Sequence, residues 1–133
     1  MAGRSTRAYD SGSVRVRLVK SFRFEAAHFL PSFPPGHKCR RMHGHSFLVD
    51  VHVEGDVPEE RGYLIDYGEI QAATEPLHEL IDHRCLNEID GLENPTSEVL
   101  ARWLWQGLEP RLPLLAEIVV HETCSSRCSY RGD

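Results

Sequence analysis

No apolar run in this sequence approaches the roughly 20 residues that a helix needs to cross a bilayer, which excludes a spanning segment of that kind. The first twelve residues, Met1 to Gly12, are polar and lack the apolar stretch of a secretory signal. A cytoplasmic protein with no membrane partner is the expectation. Paired Cys-x-x-Cys spacing is also missing from the four cysteines, Cys39, Cys85, Cys124 and Cys128. In a reducing compartment they stay as thiols, so no disulfide framework is expected. There is no internal repeat, low-complexity tract or linker, and 133 residues is the size of one ordinary domain. We expect a single domain over residues 13–133, behind a flexible N-terminal extension over residues 1–12.

Basic charge is in the minority, with 15 Lys and Arg against 20 Asp and Glu and a net charge of −5. It is also unevenly placed: Met1 to Arg41 holds nine of the basic residues and two of the acidic ones. Those charges are scattered through a strand pattern with no stacking platform, which argues against nucleic acid as a partner. A local patch around Lys38, Arg40 and Arg41 facing an anionic small molecule stays open. What the chain has in excess is histidine, eight in 133 residues.

Two segments alternate with the period of a half-buried strand. In the first, Val14, Val16, Leu18, Phe22, Phe24, Ala26 and His28 share one parity, and Arg15, Arg17, Arg23 and Glu25 the other. An interruption near Lys20 is expected, and Pro31, Pro34, Pro35 and Gly36 end the run in a loop. In the second, His43, His45, Phe47, Val49, Val51 and Val53 oppose Ser46, Asp50, His52 and Glu54. Asp66 and Glu69 then read as a capping box opening a helix with Ile70, Ala73, Leu77 and Leu80 along one side. Pro95 suits the first turn of a second helix striped by Val99, Leu100, Trp103, Leu104 and Leu108. A third strand over about 116–123 and a short fourth near 129–131 complete the order strand, strand, helix, helix, strand, strand. That order predicts an α+β protein built on antiparallel pairs.

Residues two apart on a strand point the same way, so His43 and His45 share the apolar face. His28 has the apolar parity of the first strand, and pairing of the two strands would converge three imidazoles. Three neutral imidazoles form a catalytic zinc set with an open fourth position. The alternative is that each histidine is a hydrogen-bonded core residue. Cys39 stays free beside the metal, completes a closed structural site, or is a metal-independent thiol. Asp82-His83, after the first helix, reads as an acid/base relay or as a plain surface pair. Glu122 shares the parity of Ile118 and Val120, and a carboxylate on a buried face needs a partner, either a ligand or an Arg. His37, His52, His78 and His121 join no constellation and read as surface or packing residues.

Five segments occur in order: Phe24-Glu25-Ala26-Ala27-His28, Cys39-Arg40-Arg41-Met42-His43-Gly44-His45, Leu80-Ile81-Asp82-His83, Asn94-Pro95-Thr96-Ser97-Glu98 and Glu122-Thr123. Together, from about Val16 onward, they resemble the 6-pyruvoyl-tetrahydropterin synthase superfamily. The cysteine four positions before the first histidine of His-Gly-His is similar to that of its 6-carboxytetrahydropterin synthase branch, which serves queuosine biosynthesis. The resemblance implies the T-fold, an antiparallel sheet closing into an oligomeric barrel, commonly a homohexamer made of two trimers. It implies conversion of 7,8-dihydroneopterin triphosphate to 6-carboxy-5,6,7,8-tetrahydropterin, with acetaldehyde and triphosphate released. Formation of 6-pyruvoyltetrahydropterin and a non-catalytic zinc module are the alternatives. By position, His28, His43 and His45 match ligands of Zn2+, Cys39 the catalytic cysteine, and Asp82 with His83 the proton-transfer pair. Glu122 matches the carboxylate that grips the pterin, and Thr96 and Ser97 line its pocket. Lys38, Arg41 or Arg127 would hold the triphosphate.

Overall fold

The structure, a computed structural model, describes residues 13–133. The extension expected over residues 1–12 lies outside the described residues. Strands β1 (Ser13–His28) and β2 (His43–Pro58) form a long antiparallel hairpin, in register from Ser13 opposite Pro58 to His28 opposite His43. The alternation seen in the sequence is the alternation of burial: Phe24, Ala26, His28, Phe47, Val49, Val51 and Val53 are all buried. No interruption occurs at Lys20, which pairs with Val51 inside an unbroken ladder. Lys20 shares the helix-bearing face with its buried partner Val51, yet backbone pairing does not depend on the side chain, so side-chain polarity was a poor guide there.

Helix α1 (Tyr67–Ile81) starts at Asp66, whose carboxylate accepts the Gly68 N–H at 2.9 Å. It buries Ile70, Ala73 and Ile81, whereas Leu80 is 51% exposed. The stripe therefore steps from Leu77 to Ile81, four residues on, rather than to Leu80. Helix α2 (Ser97–Leu108) is capped by Thr96, whose hydroxyl accepts the Val99 N–H at 3.1 Å. Pro95 stands one residue outside that cap instead of in the first turn, which leaves its carbonyl free for another donor. Leu100, Ala101, Leu104 and Leu108 are fully buried. Each of the three leucines contributes about 1.5–3 kcal/mol through burial.

Between the helices, β3 (Arg84–Cys85) adds a two-residue parallel pairing to β1 at Ala26 and Ala27. A segment that short has no period to detect. Strands β4 (Leu115–Thr123) and β5 (Ser126–Tyr130) form the closing hairpin, so the sheet order is β3-β1-β2-β4-β5. The last strand begins three residues earlier than its apolar content suggests. Both helices share one core with Phe24, Phe47, Val51, Ile118 and Val120 on one face of the sheet. The other face is polar. There Arg17 meets Glu54 at 2.7 Å and Glu117 at 2.6 Å, and Arg15 meets Glu54 at 3.1 Å. Arg15 and Arg17, two of the four basic residues of the first strand, are thus paired within the sheet. Among the described residues no helix is long and apolar enough to cross a membrane.

Candidate metal centre and active site

The hairpin register builds the centre. His28 lies directly opposite His43, and Ala26 opposite His45, so the small alanine leaves room for three rings at one end of one face. Ring centroids are 4.6 Å apart for His28–His43, 5.0 Å for His43–His45 and 5.2 Å for His28–His45. One nitrogen from each of the three rings lies within 4.8 Å of the others. Phe47 floors the cluster, edge-on to His28 and His45 at 5.6 and 5.5 Å, and stacks on Phe24 at 4.8 Å.

Tautomers follow from the hydrogen bonds. His28 Nδ1–H donates to the Pro95 carbonyl at 3.0 Å, and His43 Nδ1–H to the Arg41 carbonyl at 2.7 Å. In each neutral ring the lone pair is then on Nε2. His28 is fully buried, and its Nε2 is the one buried side-chain polar atom among the described residues without a hydrogen-bond partner. Leaving such an atom unmet costs about 1–3 kcal/mol. Glu122 Oε2 is 3.3 Å from that atom and 3.5 Å from His45 Nε2. A carboxylate and an imidazole lone pair are both acceptors, so either a proton on the ring or a cation beside them satisfies the contact. Burial lowers the His45 pKa, the His28 and His43 rings lower it further, and Glu122 opposes them. The donor set, neutral nitrogens with one orphaned and buried, fits a zinc-type ion.

Cys39 is not a member of the three-imidazole group. It sits in a 3₁₀ turn, Lys38–Arg40, in the loop joining β1 to β2. The thiol residue, His43, His45 and Glu122 line one cavity of about 750 Å³, walled also by Lys38, Arg41, Thr96, Ser97, Leu30 and Phe33. The volume suits a bicyclic ligand with a side chain. Ser97 Oγ lies 3.4 Å from Glu122 Oε1. The neighbouring His28 ring, then His45 and Ser97, hold the Glu122 carboxyl below its usual range, outweighing burial. Arg127 is elsewhere: it pairs with His121 and shares that residue's polar, helix-free face. Cross-strand partners point to the same side, so Arg127 is removed from the anion-binding candidates of this cavity.

Asp82 and His83 are joined, with Asp82 Oδ2 3.0 Å from His83 Nδ1. Asp82 also accepts the Glu25 N–H at 2.9 Å, and this bond first, then His83, keeps its carboxyl low against burial. His83 is the only non-glycine with positive φ (60°) among the described residues, and its side chain is 76% exposed. Such a left-handed residue stores strain, a frequent mark of functional sites. The pair does not reach Cys39 within one chain. His83 lines a second cavity of about 490 Å³ with Glu25, Gly44, Ser46 and Arg84, and His45 is the residue common to both cavities.

Sequence reasoning passed over several contributors. His78 donates from Nε2 to the Arg23 carbonyl at 2.9 Å, and His121 meets Asp50 at 2.7 Å. His52 lies 3.3 Å from Arg17 on the polar face. His37 accepts the Cys39 N–H at 3.1 Å. The Pro95 and Arg41 carbonyls that orient the imidazoles carry no side-chain signal at all.

Comparison with known proteins identifies the family. A profile described as 6-pyruvoyl tetrahydropterin synthase matches residues 17–133. The chain belongs to that family. It is 42% identical over 119 residues to the 6-carboxy-5,6,7,8-tetrahydropterin synthase of Synechocystis sp., covering 85% of this chain and 91% of the relative. The Bacillus subtilis protein of the same description is 30% identical over 123 residues, covering 86% and 84%. In three dimensions the chain is similar to the 6-pyruvoyl tetrahydropterin synthase of Caenorhabditis elegans. That match has a TM-score of 0.83 at 22% identity, over 90% of this chain and 97% of that one. The family fold is therefore the α+β T-fold expected from the resemblance, with a short β3 that the sequence pattern did not predict.

Proposed function

We propose that the protein is a zinc-dependent carbon–carbon lyase. It converts 7,8-dihydroneopterin triphosphate to 6-carboxy-5,6,7,8-tetrahydropterin, releasing acetaldehyde and triphosphate, in queuosine biosynthesis in the cytoplasm. One observation carries the reading: three imidazoles converge, the buried one with an orphaned Nε2, and two of them, His43 and His45, line the same cavity as Cys39. The 42% identity to a relative named for this reaction supports the choice of product.

His28, His43 and His45 hold the metal, which when bound supplies a Lewis acid for the hydroxyls of the substrate side chain. Cys39 Sγ takes the proton from the side-chain carbon next to the pterin ring. Glu122, half-buried in the cavity wall, accepts the paired N–H groups of the pterin edge and sets its orientation. Thr96 and Ser97 flank that edge, while Lys38 and Arg41 supply positive charge for the triphosphate. His83 gives its Nδ1–H to Asp82, leaving Nε2 to exchange protons with the substrate. Because His83 lines a different cavity from Cys39, the pair acts on the site of another copy in a homo-oligomer, a hexamer made as a dimer of trimers.

Incubating the zinc-loaded protein with dihydroneopterin triphosphate tests the reading. Mass spectrometry should find 6-carboxytetrahydropterin and acetaldehyde, whereas a 6-pyruvoyl product without acetaldehyde would assign the sister reaction. Cys39→Ala should keep zinc and lose turnover by at least about 10²-fold, the usual scale for a positioned base. Turnover equal to the parent would remove Cys39 from that role.

A further inference from the structure

We infer that His37 and Arg40 are positioning residues that hold the Cys39 thiol beside the imidazole cluster, an inference resting on the role proposed for Cys39. The loop between His28 and His43 has fixed ends, because those two residues are paired across the hairpin. Its interior has no strand or α-helix to stiffen it. Only the turn at Lys38–Arg40 is regular.

Two contacts tie that turn to the first part of the loop. The Arg40 guanidinium donates through Nη1 to the carbonyls of both Pro31 and Phe33, each at 2.9 Å. The Leu30 N–H donates to the Cys39 carbonyl at 2.8 Å, and Leu30 is itself buried. His37 caps the turn from the other end, accepting the Cys39 N–H on Nδ1 at 3.1 Å, with its ring stacked on Phe33 at 4.5 Å. Both backbone polar groups of Cys39 are therefore occupied, one by His37 and one by Leu30. Leu30, Phe33 and Cys39 line the reaction cavity, whereas His37 and Arg40 do not. Arg40 is committed to two carbonyls rather than turned toward an anionic ligand. Any effect of these two residues on the chemistry runs through the placement of the thiol.

The test compares His37→Ala, His37→Asn and Arg40→Lys in the zinc-loaded, full-length protein. Two quantities are followed: alkylation of Cys39 by iodoacetamide, resolved on its own peptide by mass spectrometry, and the split of kcat from KM. Asparagine keeps a side-chain acceptor at the cap, alanine does not, and a cap is worth enough to move populations about five- to tenfold. His37→Ala should alkylate Cys39 about fivefold faster and lower kcat about tenfold, with KM and zinc content within about twofold. His37→Asn should restore both values. Arg40→Lys keeps the charge but not the planar fork, and should behave as His37→Ala; it also serves if the alanine variant does not fold. Alkylation of Cys39 unchanged in both His37→Ala and Arg40→Lys overturns the inference, as does an asparagine variant no better than alanine. Should Cys39→Ala prove fully active, the catalytic reading fails, and the alkylation rates still decide the clamp.

Discussion

His28→Ala acts on the most enclosed of the three nitrogen donors. Losing the ring opens space against Phe47 and the two other imidazoles and strips the Pro95 carbonyl of its donor. Truncating a buried ring costs about 3–5 kcal/mol. In the metal-free protein this is partly offset, because the unpartnered Nε2 that already costs about 1–3 kcal/mol disappears with the ring. The net metal-free destabilisation should be about 2 kcal/mol. With zinc at a hundred times its dissociation constant, the parent protein gains about 2.7 kcal/mol that a two-imidazole site does not recover. Urea unfolding with and without zinc, alongside elemental analysis, measures both gaps. The variant should trail by about 2 kcal/mol without metal and by nearer 5 kcal/mol with it, and should leave the column without zinc. An equal gap in the two conditions, with full metal content, would refute the assignment of His28 as a ligand.

Three further outcomes follow from the same contacts. Glu122→Gln should weaken pterin binding about tenfold or more, the scale of a charge-assisted pair of bonds, while zinc content by elemental analysis stays intact. Asp82→Asn should lower turnover by at least about 10²-fold without loss of metal, because His83 loses the carboxylate that fixes its tautomer; steady-state kinetics and metal analysis check this together. The Glu117 carboxyl is held low by the Ser129 hydroxyl first and then by Arg17, against burial. A depressed folded pKa gives stability that is present above the unfolded value, about 4.3, and is lost as pH falls through the folded one. Glu117→Gln should therefore be less stable than the parent at pH 7, with the difference in urea midpoint shrinking below about pH 4.

The imidazole cluster was legible because a strand has a period of two. Parity alone put His43 with His45 and gave His28 the apolar side, and burial of Phe24, Phe47 and Val49 enforced it. The two helices were equally plain, since Asp66 offers a local cap and the apolar stripes carry a 3.6-residue period, although the second helix starts at a Thr96 cap rather than at Pro95. What failed was local reasoning at places without a local cause. Lys20 looked like a break because it is charged, yet its backbone pairs with Val51 in an unbroken ladder whatever the side chain. Arg84 and Cys85 look like a loop, and become a strand only because β1 has an edge to receive them.

The chain's own order of residues determined its fold class, the face each histidine occupies and the candidate thiol, because these depend on periodicity and near neighbours. Tertiary structure alone decided that Pro95 and Arg41 orient the imidazoles, that His37 and Arg40 brace the Cys39 turn, and that Asp82 and His83 stand apart from Cys39 in the same chain. Carbonyl acceptors and cross-loop contacts between residues distant along the chain leave no periodic trace. They exist only once the hairpin has closed and the loop has folded back on itself.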